Sequence, residues 1–152
     1  MAREETLQLL ESLYARRHEA MLLHGTWAQS LKSNSCRRTV RAVGLIHGVR
    51  TVELMRSARL MGGTLTPPSS PRVGLRLHTT LTAVRGDRAI MRHLLALQSE
   101  LVKAYVEASA HPSSKPVRRV LERHLVEEQR HLAWLGHRSD ELGRTRRRHA
   151  VA

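Results

Sequence analysis

The residues best suited to chemistry lie in the last strongly periodic segment of this 152-residue chain. Glu128 and His131 are three residues apart, and Glu128 falls at the centre of an apolar helical face formed by Val117, Leu121 and Leu135. A carboxylate on such a face needs a counter-charge, hydrogen bonds or a bound cation, because burying it alone is costly. The segment therefore predicts either a metal-ligand pair or a buried ion pair.

Three earlier segments also place polar side chains on faces that are otherwise apolar. His47 lies at the centre of the second periodic segment, Arg17 and His24 lie within the first, and Gln98 flanks the apolar face of the third. If neighbouring helices are antiparallel, Gln98 is level with Glu128 and His47 is level with Arg17. The sequence thus predicts one polar layer halfway along a helical protein.

Two interpretations of this layer stand side by side. In the first, Glu128, His131, His47 and Gln98 form a metal site that holds one iron, manganese or zinc ion, all of which accept imidazole and carboxylate ligands. In the second, Arg17 pairs with Glu128, and the histidines are bonded to core neighbours or water. Apart from this one possible metal ion, the sequence predicts no cofactor.

The charge composition suggests a second kind of site. The chain has 26 Lys and Arg residues against 13 Asp and Glu, a net charge of +13, which makes an acidic partner or a nucleic acid a candidate ligand. Two groups of arginines are the predicted nucleic-acid-binding residues: Arg37, Arg38 and Arg41, and Arg118, Arg119 and Arg123. The sequence predicts neither a helix-turn-helix nor an exposed aromatic residue for base stacking, and a solvated charged face is the alternative interpretation.

The elements that position these residues all have three- and four-residue apolar spacing. Strand-like alternation is missing, so the sequence predicts an all-α fold. Short polar turns give a hairpin over 4–62 and a second over 86–142, joined by a Gly- and Pro-rich crossover linker over 63–85. In that linker, Leu75, Leu77, Leu81 and Val84 suggest a short helix. Residues 143–152 are predicted to be a basic, disordered tail after the single domain of 1–142.

Several classes of protein are disfavoured by the composition. Cys36 is the one cysteine, so no disulfide framework is expected, and we predict a soluble protein of the reducing cytoplasm. No apolar run approaches the roughly 18 residues of a membrane span. The motifs of phosphate-binding loops and serine nucleophiles are missing, which disfavours those enzyme classes.

The plan of two hairpins and a linker resembles the ferritin-like superfamily over about residues 4–140. Glu128 with His131 in the last helix, and the segment 103–105 after Gln98, contribute to the resemblance. Within that superfamily the chain looks most like bacterial two-hairpin bundle proteins of unassigned function. The resemblance implies an antiparallel four-helix bundle.

The resemblance also implies that the site is degenerate. A complete ferritin-like di-iron centre takes a Glu from each of two helices and a Glu-x-x-His from each of the other two. Here Gln98 replaces one Glu, helix two offers Leu45, Ile46 and His47, and only the last helix keeps its pair. We therefore expect a non-enzymatic, structural or stress-associated protein that forms a homodimer or binds a partner, with a metal-binding protein as the alternative.

Overall fold

The computed structural model describes residues 2–68 and 82–150, with side chains up to residue 145. The described residues form four long helices and no β-strand, which confirms the all-α prediction. The helices are α1 (Ala2–Ser30), α2 (Asn34–Leu60), α3 (Asp87–Ala110) and α4 (Lys115–Ala150). None of these helices has a stretch long and apolar enough to cross a bilayer.

Each helix packs against two others. α1 contacts α2 and α3, and α4 contacts the same two helices from the other side. The apolar core is divided into two clusters along the helix axes. One cluster includes Leu10, Leu54, Leu101, Tyr105 and Leu121. The other includes Trp27, Val40, Ile90, Leu94 and Leu135.

The division between the two clusters is a polar layer. Four side chains with no solvent exposure, one from each helix, form this layer: Arg17, His47, Gln98 and Glu128. The last three lie between the two clusters along the sequence, and Arg17 lies near the end of the α1 part of the first cluster. The predicted mid-level polar layer is therefore present in the structure.

Close approach of α1 and α2 shapes this layer. A Cβ atom at Gly44 would lie 2.9 Å from His24 Cβ, and one at Gly48 would lie 3.1 Å from Met21 Sδ. Real Cβ atoms rarely come so close, so these glycines allow the two helix backbones to approach. The spacing of the two glycines, four residues apart, predicts this close packing.

The turn between α1 and α2 is fixed by α3. The carboxylate of Asp87 accepts hydrogen bonds from Lys32 N at 2.8 Å and from Ser33 N at 2.7 Å. Asp87 is the first residue of α3, and Gly86, with φ of +90°, is its N-cap. The helix thus starts where the second hairpin was predicted to begin, at residue 86, and the Asp87 side chain stabilises a neighbouring turn and does not cap its own helix.

The last helix is longer than the sequence predicts. α4 continues through Gly143 to Ala150, across the residues assigned to a disordered tail over 143–152. Arginine and alanine have high helix propensities and make up five of the eight residues from 143 to 150, so the backbone hydrogen bonds continue past Gly143. In the linker, residues 82–84 have helical backbone and Val84 is exposed. The other three residues of the predicted short helix, Leu75, Leu77 and Leu81, lie outside the described residues.

Candidate functional site

A fully buried ion pair between α1 and α4 is the centre of the polar layer. Arg17 Nη2 lies 2.7 Å from Glu128 Oε1, and neither side chain has solvent exposure. Arg17 points into the protein and does not extend its charge to water. The ion-pair interpretation of Glu128 is therefore confirmed, and the layer holds one positive and one negative charge.

The second carboxylate oxygen of Glu128 is held by α3. Gln98 Nε2 donates to Oε2 at 2.5 Å and to the Glu128 carbonyl oxygen at 3.1 Å. Burial alone would raise the pKa of Glu128, but His131, 3.6 Å from Oε1, and Arg17 outweigh burial and lower it to about 2. Glu128 is therefore ionised at neutral pH.

Two histidines complete the group around this carboxylate. His47 Nδ1 lies 3.3 Å from Arg17 Nη1 and 3.9 Å from Glu128 Oε2. One ligand atom from each of His47, Glu128 and His131 lies within 4.8 Å of the others, so the structure brings together three of the four predicted metal ligands. Gln98, the fourth, contacts Glu128 through its amide nitrogen, which cannot bind a cation.

His24 lies beside this group and has a defined tautomer. Its Nδ1 donates to the Ala20 carbonyl oxygen at 2.7 Å, so Nε2 carries the free lone pair. Burial lowers the pKa of His24 to about 4 and that of His47 well below its usual range, so both rings are neutral at pH 7. Among the described residues, His24 Nε2, His47 Nε2 and Gln98 Oε1 are buried without a hydrogen-bond partner.

The donor set does not fit a two-iron centre. Glu128 is the one carboxylate buried in this layer among the described residues, whereas such centres use four. The guanidinium of Arg17 also lies against that carboxylate and supplies the positive charge that a metal ion would supply. Ferroxidase chemistry therefore has no structural basis in these side chains.

A chain of hydrogen bonds leads from the layer toward the surface. Arg17 Nε donates to Tyr105 Oη at 2.7 Å, and Tyr105 Oη lies 3.1 Å from His124 Nδ1. His124 Nε2 then lies 2.6 Å from Glu53 Oε2. Burial lowers the pKa of His124 to about 4 and raises that of Tyr105 to about 12, so neither side chain is charged near neutral pH.

Ion pairs at the protein surface anchor the outer end of this chain. Glu53 also accepts from Arg50 at 2.6 Å and from Arg123 at 2.8 Å, and Arg50 makes a two-point contact with Glu127. Arg123, one of the predicted nucleic-acid-binding residues, is thus paired with a carboxylate.

The two predicted arginine groups do not form one surface. Arg37, Arg38 and Arg41 lie at the start of α2, where Thr39 contacts Arg138 of α4. Arg118 and Arg119 lie at the start of α4. The contacts of Arg138 with Thr39 and of Arg123 with Glu53 place that start near the other end of α2. The two groups therefore lie at different ends of α2, and nucleic-acid binding by either group stays a prediction.

Two aromatic residues were not among the predicted site residues: Tyr105 in the buried hydrogen-bond network and Trp134 at the surface. Tyr105 lies two helical turns after Gln98 on the same face of α3, and this spacing could have placed it in the network. Trp134 is 50% exposed, which corrects the expectation that no exposed aromatic residue is present. No local signal distinguishes Trp134 from the buried Trp27, because exposure depends on the neighbouring helix.

Comparison with known proteins supports the fold and leaves the function open. No family model and no curated protein matches the sequence. The chain is similar to a protein from Xanthomonas campestris pv. campestris whose crystal structure is known, with a TM-score of 0.83 and 15% sequence identity over 100% of both chains. At this identity the likeness concerns the fold alone.

Proposed function

We propose that this protein is a non-enzymatic, ferritin-like four-helix bundle in which a buried ion pair replaces the metal centre. The single observation that carries the proposal is the 2.7 Å contact between Arg17 and Glu128, both fully buried. Arg17 neutralises the one carboxylate that a metal ion would need. The protein then acts as a structural or stress-associated component through association with itself or a partner.

The bundle architecture is supported by the order of helix contacts. α1 with α2, and α3 with α4, are consecutive pairs joined by short turns, and α1 with α3 and α2 with α4 close the ring. Two antiparallel hairpins and a crossover are the arrangement that such contacts favour. A homodimer and a cytoplasmic location remain predictions, and sedimentation analysis would measure the first.

Metal content tests the proposal most directly. Protein purified without an affinity tag is incubated with ferrous iron, manganese or zinc, desalted and assayed by elemental analysis beside the Glu128→Ala and His131→Ala variants. We expect the parent to retain far less than one ion per chain. Near-stoichiometric metal in the parent that is lost in both variants would overturn the proposal.

A second candidate function, binding of one metal ion, is favoured by the geometry of three side chains. Ligand atoms of His47, Glu128 and His131 lie within 4.8 Å of one another. His24 Nδ1–H donates to a backbone carbonyl, which leaves the Nε2 lone pair available. Histidines that bind metals commonly have one ring nitrogen held in this way while the other binds the ion. In this alternative Arg17 competes with the ion for Glu128.

Replacement of Arg17 separates the two candidates. If a latent metal site exists, Arg17→Met should bind zinc more tightly than the parent and should unfold at a higher temperature when zinc is present. Arg17→Met/Glu128→Gln is the matched control, because it lacks both the competing cation and the carboxylate. Equal metal content in the parent and both variants would exclude the latent site.

A further inference from the structure

One end of the protein collects three basic segments of the chain. The α1–α2 turn is bonded to Asp87 at the start of α3, and Arg138 of α4 donates to Thr39 of α2. A cavity at the same end is lined by residues of α3 and α4: Arg88, Arg92, Leu95, Ser139, Asp140, Gly143 and Arg144. The segments 30–41, 85–92 and 138–149 are therefore neighbours, and we call this region the basic end.

Most of the excess positive charge of the protein lies at the basic end. The three segments contain twelve Lys and Arg residues and three acidic residues, which gives nine of the net thirteen positive charges. Two of the three carboxylates are already engaged, because Asp87 holds the α1–α2 turn and Glu141 pairs with Arg138 at 2.7 Å. The charge at this end is thus largely uncompensated.

Several arginines of the basic end are free to bind an external anion. Six exposed arginines at this end form no ion pair among the described residues: Arg38, Arg41, Arg85, Arg88, Arg92 and Arg144. α4 also continues for seven residues beyond Gly143, which lies beside Arg88, and so extends roughly 10 Å further. Exposed arginines on three helices favour a ligand with several phosphates and not a single small anion.

An aromatic cleft adjoins these arginines. A cavity of about 320 Å³ between α2 and α4 is lined by Arg38, Thr39, Ala42, Trp134, His137 and Arg138. Trp134 is 50% exposed in this cleft, and the centroid of its ring lies 5.7 Å from the centroid of the His131 ring. The cavity volume is at the lower end of the range of small-molecule sites, about 300–1,000 Å³. A flat aromatic surface beside unpaired arginines is the arrangement that binds an unstacked base and its flanking phosphates.

We infer that the basic end binds single-stranded nucleic acid, with one base stacked on Trp134 and the backbone phosphates on arginines of α2, α3 and α4. A single strand is favoured over a duplex because a base must leave its stack to enter the cleft. The carboxylates of an acidic peptide could form ion pairs with the arginines, but they could not stack on the face of Trp134. This inference concerns a different surface from the polar layer and does not depend on the metal content of Glu128.

Binding of an oligonucleotide to the full-length chain tests the inference. Fluorescein-labelled dT15 and the dT15·dA15 duplex are titrated with protein at 50, 100 and 200 mM NaCl, and tryptophan fluorescence is recorded with unlabelled dT15. We expect tighter binding of dT15 than of the duplex. The logarithm of affinity should fall with the logarithm of salt by about 0.7 for each phosphate contacted. Tryptophan emission should be quenched in the parent but not in Trp134→Phe, because Trp27 is buried.

Matched variants assign the binding to this surface. Arg38→Ala/Arg41→Ala removes two charges at the basic end, and Arg118→Ala/Arg119→Ala removes two at the far end. We expect the first pair to weaken dT15 binding at least fivefold with a flatter salt slope, and the second pair to change it less than twofold. Trp134→Ala should weaken binding between about 5-fold and 100-fold, whereas Trp134→Phe retains most of it.

Several results would overturn the inference. They are no dT15 binding at 50 mM NaCl, equal loss in the two arginine pairs, duplex binding as tight as single-strand binding, or unchanged affinity in Trp134→Ala. All substituted side chains are exposed or half-exposed, and circular dichroism of each variant verifies that the helices are retained. A variant that has lost its helical signal is replaced by Arg88→Ala/Arg92→Ala, which removes two charges from α3 at the same end.

Discussion

The polar layer and the basic end handle charge in opposite ways. In the layer, one guanidinium and one carboxylate are buried together, and burial lowers the pKa of His24 and of His47 so that both rings are neutral. At the basic end, arginines outnumber carboxylates, and six of the described arginines are exposed to water. Burial requires a charge to be paired, whereas solvent tolerates an unpaired one. The same residue type, arginine, is therefore structural in the layer and available for binding at the end.

Removal of the buried cation should have the largest effect on stability. Arg17→Met leaves Glu128 ionised and without its partner, and we expect a loss of about 3–5 kcal/mol in the free energy of unfolding. Urea denaturation measures this loss, and the exposed neighbour Arg16→Met should change it by less than about 0.5 kcal/mol. Arg17→Met/Glu128→Leu should recover much of the stability because no charge stays buried. A loss below about 1 kcal/mol in Arg17→Met would show that the pair is not essential.

Acidification should destabilise the layer in a defined pH range. The pKa of His24 and that of His124 are lowered to about 4 by burial, so between pH 6.5 and 4 the unfolded chain takes up protons that the folded chain does not. Stability should therefore fall as pH decreases through this range, by on the order of a few kcal/mol in total. Glu128, with a pKa of about 2, adds its own loss only below about pH 4.5, where the unfolded carboxylate is protonated.

Urea denaturation at several pH values between 6.5 and 4.5 isolates the histidine contribution. His24→Asn should have a shallower slope of unfolding free energy against pH than the parent. Gln29→Asn, at an exposed side chain that does not titrate, should keep the parent slope. An unchanged slope in His24→Asn would contradict the assignment of a depressed pKa to this ring.

A smaller effect should come from filling the space between α1 and α2. Gly44→Ala brings a methyl group to 2.9 Å from His24 Cβ, so the helices must separate, and we expect a loss of about 1–3 kcal/mol in thermal or urea unfolding. Gly25→Ala is the matched control, because a Cβ at Gly25 has no neighbour within 4 Å. It should stabilise α1 by up to about 1 kcal/mol through helix propensity. Equal effects of the two substitutions would mean that the close approach is not required.

The basic end should give the smallest change in stability. Arg88→Ala/Arg92→Ala removes two exposed charges that have no ion pair among the described side chains, so the free energy of unfolding should change by less than about 0.5 kcal/mol. Added salt screens repulsion between the remaining arginines, so the parent Tm should rise between 50 and 500 mM NaCl. The rise should be smaller in this variant than in Arg118→Ala/Arg119→Ala. A larger rise in Arg88→Ala/Arg92→Ala would contradict clustering of charge at this end.

The sequence predicts the helices and the level of the polar layer well, because both depend on local periodicity. Helical spacing puts Glu128 and His47 inward, and the assumption of antiparallel neighbours makes Gln98 level with Glu128. The sequence leaves open which partner Glu128 takes, since a side chain as long as Arg17 can reach either the carboxylate or water. That choice depends on how closely α1 and α4 approach, which no local pattern encodes.

The predictions for the surface are less successful for the same physical reason. The sequence groups Arg118, Arg119 and Arg123 with the arginines of α2, but exposure and pairing depend on which helices are neighbours. Glu53 on α2 takes Arg123 from α4, 70 residues away in the chain. The prediction of a tail over 143–152 treats a run of arginines as unable to fold, although arginine is a good helix former where a helix already exists.

The hydrogen bonds from Arg17 to Glu53 have a direction. A guanidinium has no acceptor, so Tyr105 must accept from Arg17 and give its own hydrogen to His124 Nδ1. The His124 ring therefore carries its hydrogen on Nε2, facing Glu53. The carboxylate of Glu53 accepts that hydrogen, so a buried cation at one end of the chain of hydrogen bonds and a surface carboxylate at the other favour the same tautomer of His124.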